Sequence, residues 1–359
     1  MLVILSGQAA CAKDFHNHPG LENVEGTKFH PGHYVFTSVS RGYPPRERNI
    51  KRLDIIETYL DNPDIRGFMS SYEWRELETR KDKYTLDAIA AILTTLEGTD
   101  KRFIVYVRDR DFGKTCKKAP VPAYLFDKVY GRPYKHKDFV CMIEVYNPAV
   151  VDRKIALYRA IAERFDRHPN FEMIMDGEST IGGSAGYSDQ AWADELKRFY
   201  TEVKKYFKHT MVLVQLNFLG DGSVLLDEIA GHIEQVGGGA IGLPDTVPCR
   251  RLDIRAKDVC DYQIPGYATL RKYAGRVAIA PSVATWDLEF DQTDEVFDMA
   301  VNYLQANHVI WSSVFTSRRE KKQIDPASYM GEQIVPLLKR RGEEFNADCP
   351  ASLKPCLTD

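Results

Sequence analysis

Long hydrophobic runs are absent from this chain. No apolar stretch in its 359 residues approaches the roughly 20 residues that a membrane-spanning helix needs, so no membrane span is expected. Charge of one sign is not in excess either. The chain has 48 Lys and Arg against 51 Asp and Glu, a net charge of −3, so no basic face for nucleic acid is expected. Short signatures of other chemistries are scarce as well. There is no Cys-x-x-Cys pair, which argues against a cysteine zinc site. No Gly-rich phosphate turn follows the first apolar run, as a dinucleotide fold would require; the glycine-rich Gly237–Gly242 leads into a strand rather than opening a helix and reads as a turn. Gly182-Gly-Ser-Ala-Gly186 has the Gly-x-Ser-x-Gly spacing found in the nucleophile elbow of many serine hydrolases, but Gly183-Ser-Ala-Gly186 reads here as a flexible rim loop.

Cysteines are few. The seven lie at 11, 116, 141, 249, 260, 349 and 356. Cys249 with Cys260, and Cys349 with Cys356, each close a short loop and are candidate disulfides. The N-terminal run Leu2–Leu5 is too short for a signal core and lacks a basic flank, although Ala10-Cys11-Ala12 has the small-residue pattern of a cleavage site. The expectation leans to export, secreted or periplasmic, with a cytoplasmic protein as the alternative.

What is present is a repeating pattern. Eight short apolar runs recur: Tyr34–Val39, Ile65–Met69, Phe103–Val107, Phe171–Met175, Met211–Leu216, Gly239–Leu243, Val277–Pro281 and His308–Ser312. Near-continuous apolar strands are what a parallel sheet covered on both faces requires. Helical patterns lie between them, at Arg48–Leu60, Leu86–Leu96, Val150–Phe165, Gln190–Phe207 and Asp294–Ala306. Eight strand–helix units over about 300 residues predict an α/β fold, the (β/α)8 or TIM barrel, with an open doubly wound sheet as the alternative. The barrel is expected over residues 29–340, with residues 1–28 as an extension and 341–359 as a Cys-bearing tail. Residues 111–147 form a long connection after the third strand, able to wall a cleft or to decorate the surface.

Chemistry in such a barrel sits where the strands end. The fourth run ends in Asp176 and Glu178, two apart, and side chains two apart on a strand share a face. Paired acids in a cleft can be driven to different pKa values; the plainer alternative is the first turn of a helix. The other strand ends carry Arg41 and Tyr43; Tyr72, Glu73 and Trp74; Arg108, Asp109 and Arg110; Asn217; Asp245; Trp286, Asp287 and Glu289; and Trp311. Three of the four tryptophans thus fall at expected strand ends, which fits stacking on sugar rings. Arg41, Arg108 and Arg110 are placed to meet carboxylate or sulfate groups on an acidic sugar polymer; alternatively, the members of the sign-alternating Arg108–Asp111 segment pair with one another.

Trp74-Arg-Glu-Leu-Glu78 followed by Tyr84-Thr-Leu-Asp87, and Asn147-Pro-Ala-Val-Val-Asp152 with Ala162–Asn170 leading to Glu178, resemble clan-A-type barrel glycoside hydrolases. The resemblance covers residues 29–315 in architecture and identifies no single family. It implies that Glu178 is the proton donor and that Trp311 lines the subsite of the cleaved sugar. It also implies a carbohydrate substrate with no cofactor and no metal. Two departures stand out. Gly177 replaces the Asn expected before the acid, and the seventh strand has no obvious Glu nucleophile, leaving Asp287 and Glu289 beyond it.

Three mechanisms follow. In a retaining one, Glu178 is the acid and Asp287 or Glu289 attacks. In an inverting one, a more distant Asp activates water. In the third, Asp176 and Glu178 act as a pair. Trp74, Tyr72, Trp286 and Trp311 are expected to stack on substrate, with Arg41, Tyr43, Arg108, Asn217 and Asp245 as further contacts. The rivals are a non-catalytic glycan-binding barrel and a metal-dependent hydrolase using His16-Asn-His18 or His30 and His33. The sequence leaves the oligomeric state open.

Overall fold

We describe the chain from a computed structural model. It describes residues 15, 19–21, 24–40, 42–110, 119–131, 134–136, 140–180, 188–220, 222–248, 250–251, 258–259, 264–283, 285, 288–317, 322–324 and 326–358. Eight strands form one parallel sheet: β1 Gly32–Phe36, β2 Gly67–Glu73, β3 Arg102–Arg108, β4 Phe171–Glu178, β5 Met211–Gln215, β6 Gly239–Gly242, β7 Ala278–Ile279 and β8 His308–Ser312. Each pairs with the next in sequence, and β8 returns to β1 with Ile310 opposite Tyr34. The remaining seam, between β7 and β8, is joined past the short β7 by a bridge from Ser282 to Ile310. The Ile310 amide donates to Pro281 O (3.0 Å) and the Val283 amide to Ile310 O (2.8 Å). The expected barrel is thus present, with all eight strands where the apolar runs placed them.

A helix follows every strand: α1 Pro45–Tyr59, α2 Asp87–Leu96, α3 Pro148–Phe165, α4 Asp189–Lys204, α5 Val224–Val236, α6 Pro265–Tyr273, α7 Thr293–Asp298 and α8 Val335–Arg341. Their starts are written locally. Pro45 and Pro148 stand in first turns, where the missing N–H costs nothing. Asn147 caps α3 by accepting from the Ala149 amide, and Ser188 caps α4 by accepting from the Ala191 amide. Helix α7 widens into a π-helical turn at Met299–Tyr303.

Strand alternation sorts side chains into two cores. Phe103, Val105, Val107, Ile174, Val214, Val309 and Trp311 pack outward against the helices. Met69, Ile104, Met173, Met175, Leu213, Ala240, Ala278 and Ile310 fill the barrel lumen. Burying both faces is worth about 1.5–3 kcal/mol per large apolar side chain, which is why the runs carry so few polar residues.

The N-terminal end of the lumen is closed by chain ends. Thr27–Lys28 pairs in parallel with Cys356–Leu357, and Phe29 and Leu353 enter the inner core. Cys349 and Cys356 form a disulfide beside them, as the loop length predicted. Cys249 and Cys260 lie outside the described residues. Just inside this end, Glu172 is fully buried. It accepts from the His30 amide (2.8 Å) and sits 2.6 Å from His30 Nδ1 and 3.3 Å from His308 Nε2. Burial works to raise the Glu172 pKa, but the two imidazoles outweigh it and hold the carboxyl well below its usual range.

Candidate active site

The fourth strand does not alternate simply. Against β5, Met175 is level with Leu213 and Glu178 with Gln215, so three steps on β4 match two on β5. The extra residue is a β-bulge, and it changes which way the two acids face. Asp176 points outward to α3. Its Oδ1 lies 2.6 Å from Lys154 Nζ and accepts from the Tyr158 hydroxyl at 3.0 Å. Glu178 takes the inward side with Gln215, at the C-terminal mouth of the lumen. The expectation that the two acids share a face is therefore corrected, and with it the paired Asp176–Glu178 mechanism. A bulge residue at 177 breaks the period-two rule on which that expectation stood.

Gly177 is required at the bulge. A Cβ there would lie 2.8 Å from Asp109 Oδ1 and 3.0 Å from Arg110 Nη2. These two side chains occupy the space that an Asn at 177 would need. Asp109 is buried between Arg110 (2.8 Å) and Lys154 (2.8 Å), and Arg110 also donates to Thr180 O (2.6 Å). Burial pushes the Asp109 pKa up, but these two cations overcome it and hold the carboxyl well below the ordinary range. A buried charge cluster thus lies behind the bulge.

On the lumen side, Glu178 is 8% exposed. The Asn217 amide donates from Nδ2 to Glu178 Oε2 (2.7 Å). Asn217 Oδ1 in turn accepts from the Ser179 hydroxyl (3.1 Å) and the Thr180 amide (3.0 Å), and the Trp192 indole donates to Ser179 O (2.8 Å). The carboxylate is thus fixed by a chain of bonds running back into α4. Tyr106 and Arg108 face the same mouth from β3, in phase with Ile104. Burial foremost, with Glu178's charge also contributing, raises the Tyr106 pKa, while Arg108 opposes; the phenol stays protonated at neutral pH. Towards the mouth, Gln215 Oε1, level with Glu178, and Ser282 Oγ are buried with no hydrogen-bond partner among the described residues.

The aromatic platform is not where it was expected. Trp311 is fully buried in the outer core, parallel to Phe297 (centroids 6.2 Å apart), with its indole donating to His33 Nδ1 (3.1 Å). Trp74 is fully buried and donates to Glu78 Oε2 (2.8 Å). Tyr72 is buried under the Arg52 guanidinium, 4.4 Å from its ring. None of the three can stack on a ligand in the lumen. Strand phase decides this: Trp311 alternates with the inward Ile310, and Tyr72 with the inward Met69. Trp286, Asp287 and Arg41 lie outside the described residues. Glu289 is exposed on the turn into α7, where its amide donates to Gln292 Oε1 (2.9 Å). Tyr43 is exposed beyond β1, and Asp245 is 8% exposed beyond β6. Glu73 is ion-paired with Arg75 (2.7 Å).

The other candidate chemistries fare differently. His33 packs outward while His30 faces the closed end, so the His30/His33 spacing brings no two ligands together. His16 and His18 lie outside the described residues. Sequence reasoning missed Tyr106, Gln215, Ser282 and Lys154. Strand phase with Ile104 and Leu213 would have found Tyr106 and Gln215; nothing in the sequence marks the other two.

With this geometry in hand, solved structures provide a comparison. The catalytic domain of beta-amylase from Paenibacillus polymyxa superposes with a TM-score of 0.57 at 8% identity, over 87% of this chain and 99% of that one. Endo-glycoceramidase II from Rhodococcus sp. gives 0.56 at 15% identity, over 88% and 80%. An exo-beta-1,4-mannosidase from Opitutaceae bacterium strain TAV5 gives 0.51 at 10% identity, over 90% and 62%. The chain has the fold of the barrel glycoside hydrolases. At these identities the likeness is one of fold. No family model matches the chain, and no curated protein does.

Proposed function

We propose that this barrel hydrolyses a glycosidic bond in a poly- or oligosaccharide, with Glu178 as general acid and base. The observation that carries the reading is the inward Glu178 at the end of β4, its carboxylate oriented by Asn217, in a fold shared with glycosidases. The Asn217 amide donates to Oε2 and orients the carboxyl that carries the transferable proton. From there it reaches a glycosidic oxygen lying across the lumen. The bond between that oxygen and the anomeric carbon breaks as the oxygen is protonated. Asp287 is the proposed nucleophile of a retaining reaction, a mechanism that requires carboxyls roughly 5–5.5 Å apart; a gap of about 6.5–9.5 Å would mark an inverting one. Glu289 is the weaker candidate because it is exposed on a helix-entry turn. Asn217 is a positioning residue. Tyr106, Gln215 and Ser282 supply polar contacts to sugar hydroxyls. The Cys349–Cys356 disulfide supports export to an oxidising compartment.

The test is release of reducing ends from a panel of neutral and acidic glycans by the protein and by its Glu178→Gln and Asp287→Asn variants. General acid catalysis is worth about 10²–10⁴-fold, so Glu178→Gln should lose that much turnover while keeping its melting temperature. A folded Glu178→Gln protein with undiminished turnover would refute the assignment.

A further inference from the structure

The arginines ending β3 are of two kinds. Arg110 is fully committed to packing, held by Asp109 and Thr180 O behind the bulge. Arg108 is not. It is half-buried on the lumen side, in phase with Ile104 and Tyr106, and makes no hydrogen bond or ion pair among the described residues. Its neighbour across the ladder, Glu73, is already held by Arg75 and Arg48. The Tyr106 hydroxyl two residues earlier is equally unpartnered among the described residues. On the same wall, Gln215 Oε1 and Ser282 Oγ are buried without partners among the described residues.

A guanidinium presents five donors in a rigid fork. Keeping one half out of water without an acceptor costs free energy that a partner would return. A neutral sugar hydroxyl answers one donor at a time. A carboxylate or sulfate oxygen pair answers the fork at two points with charge assistance. Arg108 stands one strand from Glu178 on the same face, so whatever it grips lies beside the sugar that Glu178 reaches.

We propose that Arg108 is an anion-recognition residue in the barrel mouth, and that the glycan bound there carries a carboxylate or sulfate group on the ring next to the scissile bond. The position of cleavage rests on the glycosidase reading above; the preference for an anionic ring does not. Gln215, Ser282 and Tyr106 bind the ring's hydroxyls while Arg108 selects its charge.

Titration calorimetry on the full chain carrying Glu178→Gln, which prevents turnover, tests this. Three probes are compared: a uronic-acid oligosaccharide, its neutral methyl ester, and a sulfated galactan oligosaccharide. One of the two anionic probes should bind at least about tenfold tighter than the neutral one, and its identity separates carboxylate from sulfate. Adding Arg108→Met should reduce that affinity about 10- to 100-fold, while Arg108→Lys should keep part of it. Binding of the anionic probe should weaken as salt rises. Equal affinity for charged and neutral probes, or a charge preference that survives Arg108→Met, overturns the proposal. So does failure of both anionic probes to bind. Loss of charge preference in the Arg108 variant, with turnover unaffected by Glu178→Gln, would keep this inference and remove the glycosidase reading. The opposite pair of results would do the reverse.

Discussion

Replacing Lys154 by Met removes the cation shared by two buried carboxylates behind the bulge. Lys154 Nζ stands 2.8 Å from Asp109 Oδ2 and 2.6 Å from Asp176 Oδ1. Burial alone would lower the Lys154 pKa, yet the two acids raise it, so the ammonium is charged throughout the neutral range. In the variant, Asp109 keeps Arg110, whereas Asp176 keeps, among the described residues, only the Tyr158 hydroxyl. Removing one partner from a buried ion pair costs about 3–5 kcal/mol, and the surviving Arg110 contact places the expected loss at the lower end, about 3–4 kcal/mol. At roughly 2.1 cal/mol/K per residue, a chain of this length changes stability by about 0.75 kcal/mol per degree near its midpoint. The melting temperature should therefore fall by about 4–5 °C. Adding Asp176→Asn removes the uncompensated charge and should recover part of that loss. Circular dichroism melts of the wild type and both variants read this directly. A single variant melting within about 1 °C of wild type, or a double variant no better than the single, would show that the cluster is not a tightly coupled ion network.

Gly177→Ala forces a Cβ against Asp109 and Arg110; overpacking of this kind costs about 1–3 kcal/mol, and turnover should fall with it because the bulge carries Glu178. An unchanged melting curve would contradict the close approach. Trp311→Phe removes the indole bond to His33 and should lower stability by about 1–2 kcal/mol while leaving glycan affinity alone; a variant that loses affinity but keeps its stability would return Trp311 to the binding face. Burial depresses the His33 pKa to about 4. The unfolded chain takes up that proton near 6.5, so the contribution is fully present above that pH and fades as the pH falls towards 4, a loss on the order of 3 kcal/mol. Urea titrations at pH 7 and 4.5 should show this slope in the wild type and a shallower one in His33→Gln. Reducing the Cys349–Cys356 disulfide should cost about 2 kcal/mol, measured as a shift in the urea midpoint with and without reductant.

The strands were readable because a doubly covered sheet tolerates few polar residues, and runs such as Phe103–Val107 and His308–Ser312 stand out against their surroundings. The helices after β5, β6 and β8, Val224–Val236, Pro265–Tyr273 and Val335–Arg341, escaped notice. Glu178 was legible because a carboxylate closing an apolar run is rare. Its relation to Asp176 was not, since an added residue in one strand is defined by hydrogen-bond register with a neighbour some 40 positions away. The tryptophans misled for a simpler reason. Proximity to a strand end says nothing about phase: Trp311 falls on the helix-facing phase of its strand, and Trp74 opens a short helical turn that buries it. The sign-alternating Arg108–Asp111 segment resolved only in three dimensions, where Asp109 selects Arg110 and Lys154 and leaves Arg108 to the lumen.

The surplus residue at position 177 also affects how this protein can be compared with others. Deleting Gly177 on paper restores an unbroken ladder in which Asp176 still faces α3 and Glu178 still lies level with Gln215. A relative lacking the insertion would therefore keep its acid in the same place while its sequence ran one position short. Column-by-column matching on the dipeptide before the acid would then pair residues that do not correspond in space, and kinship to chains of this kind is better sought through the neighbouring strand than through the motif itself.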